Sequence, residues 1–179
     1  MRHIHREGTY LRVCDATWLD CADTTFARRF GGRWNAPGSF GVLYLCADRS
    51  VAAANARKAY ESDGRLTLFD RRPERRPHVQ EFTVAHSRFV DGVTTIGLAA
   101  LGLPDSYPTG GSWSRCQGIA RMAYDLHEKG IACRSAAEAT RGRWLGEELA
   151  IFDTAIGLAT RGPRRPFAQW YPLPGLEKM

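Results

Sequence analysis

The stretch "RFGGRWNAPGSFGVLYL", residues 29–45, constrains the fold of this chain more than any other segment. Adjacent glycines, Gly31 and Gly32, admit backbone conformations or close approaches that a Cβ would forbid. Pro37-Gly38 supplies a turn, and Asn35 can bond the backbone within it. "GVLYLCA" (41–47) then reads as a strand, with Leu43 and Leu45 on one face and Val42 and Tyr44 on the other. Asp48 is a helix N-cap signal, and the alanine-rich "DRSVAAANARKAYES" (48–62) predicts a helix. Just ahead of the strand, Arg33 is set between Gly32 and Trp34. Its planar fork of donors suits a phosphate or a carboxylate. The same residues also suit a plain hairpin-like connection with Arg33 stacked on Trp34 at the surface.

The rest of the chain alternates short patterns. "TYLRVC" (9–14) predicts a first strand, and "DATWLDCADTTFA" a loop with a short helix. "RLTLF" (65–69) and "VQEFTVAH" (79–86) alternate as strands do. "TTIGLAALG" predicts a short helix closed by Gly102. "SWSRCQGIARMAYDLHEKG" (112–130) predicts an amphipathic helix with Ile119, Met122, Ala123 and Leu126 on one face. "IACRSA" and "ELAIFD" (148–153) predict two later strands. Strands outnumber helices and do not alternate with them, which argues for α+β rather than a doubly wound sheet. A chain of 179 residues suits one domain. Trp170 and Tyr171 suggest that the tail, 156–179, packs on the core.

Several function classes are disfavoured. GxGxxG, GxxxxGK[ST], GxSxG and HExxH are all absent. Five cysteines without a CxxC pair give no zinc spacing and read as reduced, mostly buried thiols of a cytoplasmic protein. His3, His5, His78, His86 and His127 do not cluster, and the first two read as a solvated end. No apolar run is long enough to span a membrane, and no metal is expected. The net charge of +6 gathers in "RRPERRP" (71–77) and "RGPRRP" (161–166). These runs lack interleaved aromatics and read as exposed loops, so direct nucleic-acid binding is not expected.

"GGRWNAPGSFGVLYLCADRSVAAAN" resembles the core motif of the RES-domain family, toxins of Xre–RES toxin–antitoxin systems. "YLRV" (10–13), "FVDGVTTIGLAALGL" (89–103), "GIACRSA" (130–136) and "ELAIF" extend the resemblance in order over residues 9–155. It implies an ADP-ribosyltransferase-like split β-sheet core with flanking helices, one domain over 1–179 with 156–179 as an extension. It implies NAD as substrate, no prosthetic group, and an Xre-type antitoxin that covers the cleft. By the same resemblance Arg12 and Arg33 bind phosphates and ribose. Gly32 and Asn35 join them as substrate-binding residues, and Tyr44 and Ser135 place the nicotinamide end. The family's glutamate falls eleven residues after the tyrosine, where this chain has Asn55. Cleaving the nicotinamide–ribose bond builds positive charge on the ribose, which a carboxylate stabilises. Three outcomes stay open: a weakened NAD binder, a silenced variant, or another carboxylate in that role. The candidates are Glu61, Glu138 and the Glu147-Glu148 pair, with Glu61 turned to another helix face. The rival classes are a non-catalytic nucleotide- or protein-binding module and a nucleic-acid binder using the arginine loops.

Overall fold

"HVQEFTVAHSRFVDG" buries Val79, Phe82, Val84, Phe89 and Val90, and it forms the long strand on which the rest is hung. A computed structural model describes residues 1–61, 66–109, 112–140 and 143–171. In chain order these give β1 (His3–Cys14), α1 (Thr25–Phe30), β2 (Val42–Cys46), α2 (Arg49–Tyr60) and β3 (His78–Gly92). There follow α3 (Thr95–Ala100), α4 (Trp113–Asp125), β4 (Gly130–Arg134), β5 (Glu147–Phe152), β6 (Ala159–Arg165) and α5 (Phe167–Trp170). The expected strand and helix around residues 41–60 form, and the Asp48 side chain caps α2 by accepting from the Val51 N–H at 2.9 Å.

All six strands belong to one mixed sheet, ordered β1-β2-β5-β4-β3-β6, and β1 also pairs with β3. The sheet therefore closes on itself through β1, where the expectation was a split core. β6 runs beside residues 79–84 of β3, while β4 pairs in parallel with Val90–Gly92 of the same strand. Leu43 and Leu45 face a cluster to which all five ring strands contribute. Val42 and Tyr44 face the opposite cluster, roofed by α4. A third cluster joins the alanine face of α2 to Phe167, Trp170 and Tyr171, so this part of the tail does pack.

Five expectations are corrected. Leu68–Asp70 is a 3-10 turn held by a Thr67–Asp70 capping box instead of a strand, and Arg65 lies outside the described residues. The buried stripe of α4 is Cys116, Ala120 and Ala123, whose small side chains let the helix sit close to the sheet. Met122 and Leu126, expected inside, are 59% and 61% exposed. His3 and His5 pair with β3 inside β1 instead of forming a free end, because the register runs on to Val90. "RGPRR" is strand β6, its arginines bonded to Asp20, Glu81 and the Trp18 carbonyl. Cys14 and Cys21 are joined as a disulfide, since β1 and the following loop bring them together, while Cys46, Cys116 and Cys133 are free and buried.

Candidate functional site

The turn after α1 is a braced frame. Gly32 and Asn35 bridge each other, with the Gly32 N–H donating to the Asn35 carbonyl at 2.8 Å. Asn35 is fully buried. Its Nδ2 donates to the carbonyls of Ala27 and Phe40, and its Oδ1 accepts from the Tyr44 hydroxyl at 2.9 Å. That hydroxyl in turn accepts from the Trp34 N–H at 2.9 Å. A Cβ on Gly32 would stand 2.7 Å from the Tyr44 hydroxyl, so only glycine fits. Burial pushes the Tyr44 phenol far above its ordinary range, and it stays protonated. Asn35, expected to touch a ligand, is spent on this frame. Arg33 does not stack on Trp34, which is buried. It lies with its guanidinium 5.8 Å from the Tyr107 ring centre.

Beside the frame opens a cavity of about 530 Å³. Arg12, Trp18, Arg33, Tyr44, Asn55 and Glu148 are among its lining residues. Arg12 is 8% exposed, and its Nη2 donates to the Asp23 carbonyl at 3.2 Å. The buried Nη1 atoms of both Arg12 and Arg33 have no hydrogen-bond partner among the described residues. Burial lowers the Arg12 pKa to about 10, which leaves it a cation at neutral pH. An uncompensated buried cation is costly, and a bound anion relieves the cost.

On the other side, Glu148 is held by two donors. Ser135 Oγ donates to its Oε1 at 2.6 Å, and Asn55 Nδ2 donates to the same oxygen at 2.8 Å. The strand register explains the meeting: Glu148 pairs with Cys46 of β2 and Cys133 of β4, two residues from Tyr44 and from Ser135. The other three carboxylates are engaged elsewhere. Glu61 accepts from the Leu68 N–H at 2.7 Å, Glu147 pairs with Arg6 at 2.7 Å, and Glu138 pairs with Arg57. Ser135 is fully buried, so it reaches the cavity only through Glu148 and offers no free hydroxyl to a ribose. Arg12, Arg33, Tyr44, Asn55 and Glu148 are thus brought together, with Gly32 at the rim. Trp18, Phe26 and Tyr60 line the same cavity and were not singled out from the sequence. Their signal was only that aromatics in a loop and on an exposed helix face need a reason. Among the described residues no cluster could hold a metal, and no helix is long and apolar enough to cross a membrane.

Against known proteins, the family model described as RES domain matches residues 9–172. Proteins named NAD(+) phosphorylase MbcT from Mycobacterium bovis and from Mycobacterium tuberculosis are 29% identical over 110 residues. That stretch is 62% of this chain and spans 58% of each relative's length. A solved structure, titled as the crystal structure of the M. tuberculosis MbcT–MbcA toxin–antitoxin complex, superposes with a TM-score of 0.76. The alignment covers 92% of this chain and 86% of that one at 23% identity, a likeness of fold.

Proposed function

Because this chain belongs to the RES-domain family, we propose that it is a toxin that consumes NAD by breaking its nicotinamide–ribose bond. One observation carries the reading: a single cavity sets two arginines, each with a buried Nη1 that has no partner among the described residues, beside a carboxylate held by two donors. Arg12 and Arg33 bind the diphosphate and gain the partners they lack. The Tyr44 ring forms a wall for the nicotinamide end. The carbon–nitrogen bond breaks with its electron pair passing to the nicotinamide nitrogen, which becomes neutral. The positive charge left on the ribose faces Glu148, whose Oε2 has no bond within the described site. Asn55 and Ser135 act as positioning residues that hold this carboxylate. Asn55 therefore does not replace the family's glutamate as an anion; Glu148 supplies the charge. An oxygen of inorganic phosphate then attacks the ribose, giving ADP-ribose 1″-phosphate. The names of the curated relatives favour phosphate over water as this acceptor.

The same family membership supports an ADP-ribosyltransferase-like core, an Xre-type antitoxin covering the cleft, and action in the cytoplasm. A non-catalytic module of the same fold is the second reading, favoured by Asn55 at the family's carboxylate position. The experiment is NAD turnover by the purified chain with and without phosphate, with nicotinamide and sugar product separated by chromatography. Nicotinamide release that depends on phosphate is expected. NAD binding without release would establish the second reading, and absence of NAD binding would overturn both.

A further inference from the structure

We infer that Trp18 and Phe26 form the seat for the adenine ring of the dinucleotide, an inference that rests on the NAD reading above. A second cavity of about 320 Å³, lined by Trp18, Leu19, Asp20, Asp23 and Phe26, shares both aromatics with the first. The order of groups along the combined groove is fixed by chemistry. The reacting ribose belongs at Glu148 and the diphosphate at Arg12 and Arg33, so the adenosine end lies beyond Arg12. The Arg12 guanidinium stands 5.5 Å from the Trp18 ring centre, so the phosphate-binding cation passes directly into an aromatic wall.

The two rings make a wedge. Their centres are 6.5 Å apart and their planes 39° from parallel. A ring sandwiched between two parallel ones needs about 7 Å, so at 6.5 Å and 39° the base stacks on one ring and meets the other at its edge. Phe26 is 59% exposed and Leu19 fully exposed, so the fold leaves this apolar surface uncovered. Both walls are tethered. The Trp18 N–H donates to the Asp15 carbonyl at 3.1 Å and its carbonyl accepts from Arg164 at 2.6 Å, and Phe26 packs on Phe30 of the same helix with ring centres 4.6 Å apart. The polar groups at the edge are acceptors. Asp20 is held by Arg161 and the Ala22 N–H, and Asp23 by Thr25, with lone pairs left over for an exocyclic amino group. A flat, uncharged base with an amino donor fits this edge, and adenine is the part of NAD beyond the diphosphate that has these properties.

The test is calorimetric titration of the wild-type chain, Trp18→Ala, Phe26→Ala and Trp18→Phe. The ligands are ADP-ribose, which carries the adenine, and nicotinamide mononucleotide, which lacks it. Stacking on one aromatic is worth about fivefold to a hundredfold in affinity. Each alanine variant should weaken ADP-ribose by about tenfold or more and leave the mononucleotide within about twofold, with Trp18→Phe recovering most of the loss. Phe26 is exposed, so its truncation keeps the fold if Trp18→Ala does not. Unchanged ADP-ribose affinity, or equal loss for both ligands, would overturn the adenine seat while leaving the NAD reading in place. A wild-type chain that binds neither NAD nor ADP-ribose would overturn both.

Discussion

The two sides of the cavity are built on opposite principles. On the Glu148 side every donor has found its acceptor: Ser135 and Asn55 converge on one carboxylate oxygen. On the arginine side two buried Nη1 atoms are left without partners. A satisfied polar network rigidifies, and an unsatisfied one carries a standing cost that a ligand can remove. On the function proposed above, the first side is preorganised for chemistry and the second is poised for binding. Charge that develops during reaction is best met by a group that needs no reorganisation. Charge that arrives with the substrate is best met by a site whose cost has already been carried by the folded protein.

The division of labour predicts separable defects. Glu148→Gln keeps the shape and the acceptor oxygen but removes the charge. Its nicotinamide release should fall by about a thousandfold, while ADP-ribose affinity changes little. Parallel loss of rate and affinity would show that the two sides are not distinct. Arg12→Met should do the reverse. ADP-ribose affinity should drop by about tenfold to a hundredfold. The ligand-free chain should melt a few degrees higher, because burial of the Arg12 guanidinium outweighs the attraction of Asp23 and Asp20, and an apolar side chain removes that cost. A lower melting point would mean that the Asp23 contact makes Arg12 a structural residue and that its free Nη1 is not held in reserve.

Local signals in the sequence reached far in one region and stopped short in another. Residues 31–60 were legible because each cue acts on near neighbours: Pro37-Gly38 turns, the alternation from Val42 to Leu45 chooses faces, and Asp48 caps. The direction of α4 was not legible. Ile119, Met122 and Leu126 are as apolar as any core stripe, but the tight approach to Val42 and Phe152 selects Cys116, Ala120 and Ala123. Size decided the face there, and hydrophobicity did not. Asn35 and Ser135 have the chemistry of ligand contacts, yet both are spent inside the fold. The identity of the carboxylate was legible only as a short set. The choice of Glu148 proposed above rests on the pairing of β5 with β2 and β4, a long-range register that no local pattern encodes.

Asn55→Glu puts that choice to the smallest of the three tests. The family pattern alone predicts that restoring the glutamate raises turnover. The geometry predicts the opposite, because Asn55 Nδ2 donates to Glu148 Oε1 at 2.8 Å and a glutamate there would bring a second carboxylate into contact. Two carboxylates that close keep one proton between them, since both cannot ionise together. The shared proton gives the variant a folded-state carboxyl pKa above the unfolded value of about 4.3. Its stability then matches the wild type below about pH 4.3 and is lost as pH rises through the raised pKa, by about 1–3 kcal/mol at neutrality. Thermal melts of the two chains from pH 4 to 8 should therefore diverge upward in pH, with nicotinamide release by the variant strongest at the acid end. Curves that stay parallel would mean that the new side chain turns away from Glu148. A rise in turnover at pH 7 would mean that the charge belongs at position 55, and that Glu148 serves only to hold it there.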